Sequence, residues 1–177
     1  MDNDFNVDLI GNAPSGWTST AGVAVQAIPN AIDKSVKMNK TTSSAINSYK
    51  SITPLSGIVT VQAKMNINNK TNWKSLSIYN SSGVELTQVG FDIGGNIYSN
   101  NVNVWTPLMP YNINQWYDVK VIINTDTDTF DLYIDNVRAN ANKSLEVATN
   151  DIGRIGFVSS EAPTGGIFYF DSVTVTN

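Results

Sequence analysis

The residues from Asn124 to Asn136 read NTDTDTFDLYIDN and place Asp126, Asp128, Asp131 and Asp135 close together. Dense carboxylates are what calcium takes, since it gathers six to eight oxygens. An EF-hand loop also needs Gly at its sixth position and a bidentate Glu at its twelfth. Counted from Asn124, those positions hold Thr129 and Asp135. The flanks decide the matter. WYDVKVIIN (116–124) and TFDLYID (129–135) are both strand-like, and TDTD lies between them at hairpin distance. The acidic stretch therefore predicts the tip of a β-hairpin.

Other chemistries are limited by what the chain lacks. It contains no Cys and no His. That removes disulfides, thiol nucleophiles, Ser-His-Asp triads and nearly every zinc or copper site. A glycosidase needs two carboxylates about 5–9.5 Å apart. The glutamates Glu85, Glu146 and Glu161 are far apart in sequence and form no ExDxE-like strand motif. A lyase acting on uronates would need basic residues and Tyr clustered round the sugar, and this chain has no His and two Arg. The expectation is a protein without catalysis.

Net charge is −4 with a pI near 4.6, and the 11 basic residues form no stripe, so nucleic acid is not an expected partner. No apolar run reaches the roughly 18 residues of a membrane span. The opening MDNDFNVDL has neither a basic nor an apolar leader region, and reads as the start of a domain cut from something longer. At 177 residues the length suits one domain, residues 1–177.

Periodicity points to strands almost throughout. GVAVQAI (22–28), SVKM (35–38), GIVTVQAKMNI (57–67), KSLSIYN (74–80) and VELTQVGFDI (84–93) are rich in residues that favour strands. NVWT (103–106), GRIGFVS (153–159) and GIFYFDSVTVT (166–176) continue the series. Turn signals such as NSSG, IGGN and EAPTGG separate them. NKTTSSAINSYK (39–50) and LMPYNINQ (108–115) read as the longest polar loops. No helical period is present, so the class is all-β, a sandwich or barrel.

The hairpin QWYDVKVIIN–TFDLYIDN resembles the central hairpin of laminin-G-like and other concanavalin A-like jelly rolls. DFNVDLIGNAPSGWT (4–18) is similar to the opening of bacterial secreted jelly-roll modules, and NDIGRIGFVS (150–159) and GIFYFDSVTV (166–175) to their closing strands. Among named groups the chain most resembles the family 66 carbohydrate-binding modules, which accompany fructan hydrolases and pectate lyases. The resemblance implies a two-sheet antiparallel β-sandwich. It also implies a secreted, extracellular bacterial protein, monomeric, joined to the catalytic domain of a glycan-degrading enzyme. Related modules hold a structural calcium where the chain ends lie side by side. That makes Asp4, Asn6 and Asp171 the candidate Ca2+ ligands here, with Asp8 another.

Sugar-binding modules stack rings on exposed aromatic faces and fix them with polar side chains. Trp17, Trp116, Phe130, Phe157, Phe168 and Phe170 sit where core or rim packing is expected. Trp73 in NNKTNWKS, Tyr98 and Trp105 bracketing YSNNVNVW, and Tyr111 in MPYN have polar surroundings and are the candidate platform. Arg154 and Glu161 are the chosen polar partners, with Asp92 and Gln88 behind them. The expected function is noncatalytic binding of a polysaccharide, pectin or fructan among the candidates, that targets an appended enzyme. The alternative is a structural spacer or cell-surface adhesion domain, since jelly rolls host many functions.

Overall fold

A computed structural model describes residues 1–101, 104–161 and 163–177, with the Asn101 side chain left aside. Asn103 of the predicted strand NVWT lies outside the described residues. Fifteen strands and no helix are found among the described residues.

One sheet contains β1 (Asp2–Asn3), β3 (Val23–Gln26), β4 (Ser35–Asn39), β6 (Ile58–Ile67), β11 (Trp116–Asn124), β12 (Thr129–Ile134), β13 (Val137–Ser144) and β15 (Ile167–Thr176). The other contains β2 (Thr18–Ser19), β5 (Ile46–Leu55), β7 (Lys74–Tyr79), β8 (Glu85–Phe91), β9 (Asn96–Asn101), β10 (Val104–Pro110) and β14 (Ile152–Ser159). The first runs in the order β13-β12-β11-β6-β15-β4-β3, with β1 paired to β15, and the second β10-β9-β8-β7-β14-β5-β2. Every neighbouring pair is antiparallel. The two sheets form a jelly-roll sandwich: alternation predicted a sandwich or barrel, and the family resemblance implied the jelly roll.

Alternation explains the core. Along β11, Tyr117, Val119, Val121 and Ile123 are buried while the residues between them are only partly so. Across the sandwich, Phe157 of β14 stacks on Phe170 of β15 with centroids 3.8 Å apart and planes at 6°. Trp17 closes this cluster at 5.5 Å from Phe170 and 5.9 Å from Phe157. Burying aromatic surface of this kind is the main drive for joining the sheets.

The acidic hairpin is a turn, as predicted, and the carboxylates of Asp128, Asp131 and Asp135 are occupied by the fold. Asp128 accepts from the Thr149 amide, Asp131 from the Asn142 amide and Arg138, and Asp135 from the Asp118 amide. The Arg138–Asp131 pair and the Asn142 amide together hold the Asp131 carboxyl below its usual range, the amide being the larger cause.

Two strands differ from expectation. The polar segment 39–50 becomes β5 from Ile46 onward, and VRANANKS forms β13. In β5 the inward positions nearest its start are Ile46 and Ser48, so the alternation in hydropathy is faint. β13 is an edge strand, mostly exposed, and its backbone pairing with β12 does not depend on apolar side chains. The predicted loop 108–115 starts later, because β10 runs to Pro110.

Candidate functional site

The outer face of the second sheet gathers three aromatic rings. Tyr98 and Trp105 lie on the paired strands β9 and β10, and Trp73 immediately precedes β7. Centroid distances are 4.8 Å for Trp73–Tyr98, 5.2 Å for Trp73–Trp105 and 5.0 Å for Tyr98–Trp105. The planes meet at 74°, 60° and 57°, the edge-to-face geometry that aromatic quadrupoles favour. Tyr98 is buried beneath the group, Trp73 is half-buried, and Trp105 keeps 48% of its surface exposed. With Ser75, Gln88, Val158 and Ser160 they line an open depression of about 440 Å³.

Local structure explains the depression. Gly90 pairs with both Ser75 and Tyr98, and the backbone of Lys74 approaches it too closely for any Cβ. A small floor therefore lies beside the ring of Tyr98. The segment before β7 is stapled from below. Buried Lys74 donates through Nζ to the Asn72 carbonyl at 3.0 Å, and Asn72 Nδ2 donates to Ser159 Oγ at 2.9 Å. Burial lowers Lys74 to about 8. The Ser160 amide donates to the Trp73 carbonyl, which fixes that ring's backbone against β14.

Among the described residues no carboxylate lines the depression. Gln88 is turned partly aside, donating to Glu85 Oε2 at 2.8 Å. The arrangement can stack an apolar ring face and offer hydroxyl and amide groups at its rim.

The other sequence candidates fall elsewhere. Tyr111 is in the core: it meets Phe91 edge-on at 5.0 Å and its hydroxyl donates to the Asp92 carbonyl. Glu161 is exposed in its loop and takes no part in the depression, and Asp92 caps the turn before β9 by accepting from the Asn96 amide. Arg154 shares the outer face with the three rings, on β14, but at its far end. Its guanidinium lies over Tyr79 at 4.4 Å and Tyr49 at 5.1 Å, and Nη2 donates to the Gly83 carbonyl. Sequence reasoning missed Ser75, Val158, Ser160 and the Lys74–Asn72 staple. Counting by twos from Trp73 to Ser75 was the available signal, since both leave the strand on one side.

Asp4, Asn6 and Asp171, the expected calcium ligands, each have hydrogen-bond partners within the fold. Asp4 accepts from the Asn6 amide, Asn6 Oδ1 accepts from the Lys34 amide, and the Lys34 ammonium takes the carbonyls of Asn6 and Asp8. A lysine thus occupies the backbone oxygens that a cation would need. Among the described residues no group of three or more acidic side chains is arranged for a metal ion. Asp171 is buried on β15 opposite Lys64, accepts from the Ser172 amide, and is raised to about 6 chiefly by burial.

The family model described as "Sialidase-like, CBM domain" matches residues 50–166, which include Trp73, Tyr98, Trp105 and Arg154. A solved structure described as "Sialidase" superposes on 100% of this chain with a TM-score of 0.83 at 13% identity. This chain spans 18% of that sialidase's length. The carbohydrate-binding module CBM66 from Bacillus subtilis matches with a TM-score of 0.59 at 15% identity, covering 92% of this chain and 96% of its own. The Emp47p carbohydrate recognition domain matches with a TM-score of 0.67 at 12% identity, over 99% of this chain and 94% of its own. At such identities the likeness is one of fold. No curated protein sequence matches the chain.

Proposed function

We infer the function from the family: this chain belongs to the sialidase-like CBM domains, and a carbohydrate-binding module needs a surface that takes sugar. That surface is the Trp73–Tyr98–Trp105 platform. The observation that carries the reading is the convergence of three rings within 5.2 Å on one open face, with Ser75, Gln88 and Ser160 beside them. A wet indole such as Trp105 suits the amphipathic face of a sugar.

The module acts without catalysis, in an extracellular bacterial setting and as a monomer. It holds a catalytic partner joined to it near a polymeric substrate and so raises local concentration. Each contact is weak, because one stacked ring and a few wet hydrogen bonds gain little over water. Native affinity electrophoresis against pectins, levan, inulin, xylans and β-glucans tests this. Retardation by at least one polymer, lost in Trp73→Ala and Trp105→Ala, is the expected result. No retardation by any of them moves the assignment to a spacer or adhesion role, and multiple-turnover cleavage ends the noncatalytic one.

A further inference from the structure

The platform occupies one end of a longer strip. Three outward-facing rows cross the second sheet. The first contains Val158, Ser75, Gly90 and Tyr98, and the second Gly156, Ser77, Gln88 and Asn100. The third contains Arg154, Tyr79 and Glu85. Along β14 the positions Val158, Gly156 and Arg154 point to one side, so the first and third rows lie four residues apart. At about 3.3 Å per residue that is about 13 Å, room for roughly two or three linked sugar rings rather than one.

The far end is built as a second contact point. Tyr49 lies across Gly156, where its ring leaves no room for a Cβ, and meets Tyr79 at 5.8 Å and 76°. The Arg154 guanidinium rests on both rings, so it is held in place by stacking. Its Nη2 donates to the Gly83 carbonyl, and its Nε is buried with no partner. No ion pair involving it is found among the described residues. Between the two ends, Asn100 Oδ1 is likewise buried without a partner, beside Gln88 and opposite Trp105. Buried polar atoms left unpaired are costly, and with Ser77 Oγ of the second row three of them fall on this one face.

We propose that the strip binds the interior of a linear glycan rather than a single terminal sugar. One ring stacks on Trp73 and Trp105, the chain passes over Gln88 and Asn100, and a later unit presents a pair of adjacent acceptor oxygens to Arg154. A uronate carboxylate or a vicinal diol supplies such a pair, and a rigid planar guanidinium suits either. This rests on the carbohydrate-binding reading above and adds the length and direction of the ligand.

Titration calorimetry tests it, with oligosaccharides of one to six units from galacturonan, xylan and levan. A carboxyl-reduced galacturonan series runs beside them. Affinity is expected to climb with chain length until about three units fill the strip, then level. Arg154→Gln removes the gain from the third unit onward, about tenfold, while leaving shorter ligands unaffected. Arg154→Lys keeps the charge but not the planar fork, and restores less than half of that gain in logarithmic terms. Loss of the gain on carboxyl reduction names the uronate; its persistence names the diol. A monosaccharide that binds as tightly as the longer chains overturns the inference and leaves carbohydrate binding intact. So does an Arg154→Gln protein, folded by circular dichroism, with an unchanged length profile. Absence of binding to every series, together with no retardation by any polymer, removes both this inference and the reading beneath it.

Discussion

The outer faces of the two sheets form an instructive pair. On the first sheet, Asp33, Lys64, Trp116, Asp118, Asp135 and Asp171 surround a pocket of about 310 Å³. It has more charged groups than the platform, and by residue type alone it looks the more chemical of the two. Three of its carboxylates are engaged with the fold, however. Gln62 Nε2 donates to both oxygens of Asp118 at 2.8 and 3.0 Å, Asp135 accepts from the Asp118 amide, and Asp171 accepts from the Ser172 amide. On the second sheet the rings of Trp73 and Trp105 keep open faces, and Arg154 and Asn100 keep unpaired atoms. A site is made by valence that folding leaves unspent, and the second sheet has more of it.

The largest expected effect separates the faces directly. Trp105→Ala should weaken retardation by at least roughly thirtyfold, about 2 kcal/mol, as for a central aromatic anchor. Because Trp105 is half exposed, its melting temperature should move little. Trp116→Ala on the opposite face should leave retardation unchanged, and a matching loss there would erase the distinction.

Asp171 provides the next test, through stability. Its carboxyl is raised from 3.8 to about 6, mainly by burial. Above pH 6 it is charged folded and unfolded, so the full cost of burying the charge is present. As pH falls from 6 to 3.8 the folded state binds the proton first and this cost disappears. Asp171→Asn should therefore stabilise the protein at pH 7 by about 2 kcal/mol and flatten the pH dependence of chemical denaturation between pH 4 and 6. An unchanged slope would mean that Lys64 already compensates the charge.

Smaller effects follow. Arg138→Ala removes an exposed pair 2.8 Å long and should cost less than about 1 kcal/mol in denaturant midpoint, with no change in binding. Chelator should shift neither the melting temperature nor the retardation, because Lys34 supplies the positive charge at Asn6 and Asp8. A drop of several degrees would place a calcium site elsewhere in the chain.

How much of this was legible depended on whether a residue's fate is set by its neighbours in sequence. The hairpin was legible because alternation and turn chemistry are local, and Trp73, Tyr98 and Trp105 stood out because nothing near them offered burial. Tyr111 looked the same in MPYN, yet the Asp92 carbonyl and the Phe91 edge, distant in sequence, draw it inward. Strand β5 was hidden because its pairing with β14 supplies what its own hydropathy does not. The surroundings of Asn6 and Asp8 were hidden on the same ground: Lys34 reaches their carbonyls from more than twenty positions away.

Strand β1 pairs with β15, and the Met1 amino group donates to the Val175 carbonyl at 2.6 Å. Both ends of the described chain thus lie on paired strands of the first sheet, while the platform looks out from the second. A domain of this geometry can be spliced into an exposed loop of another protein by both ends at once, since the gap it must bridge is the width of two paired strands. The face bearing Trp73 and Trp105 would still point away from the splice, whichever end carried the neighbour.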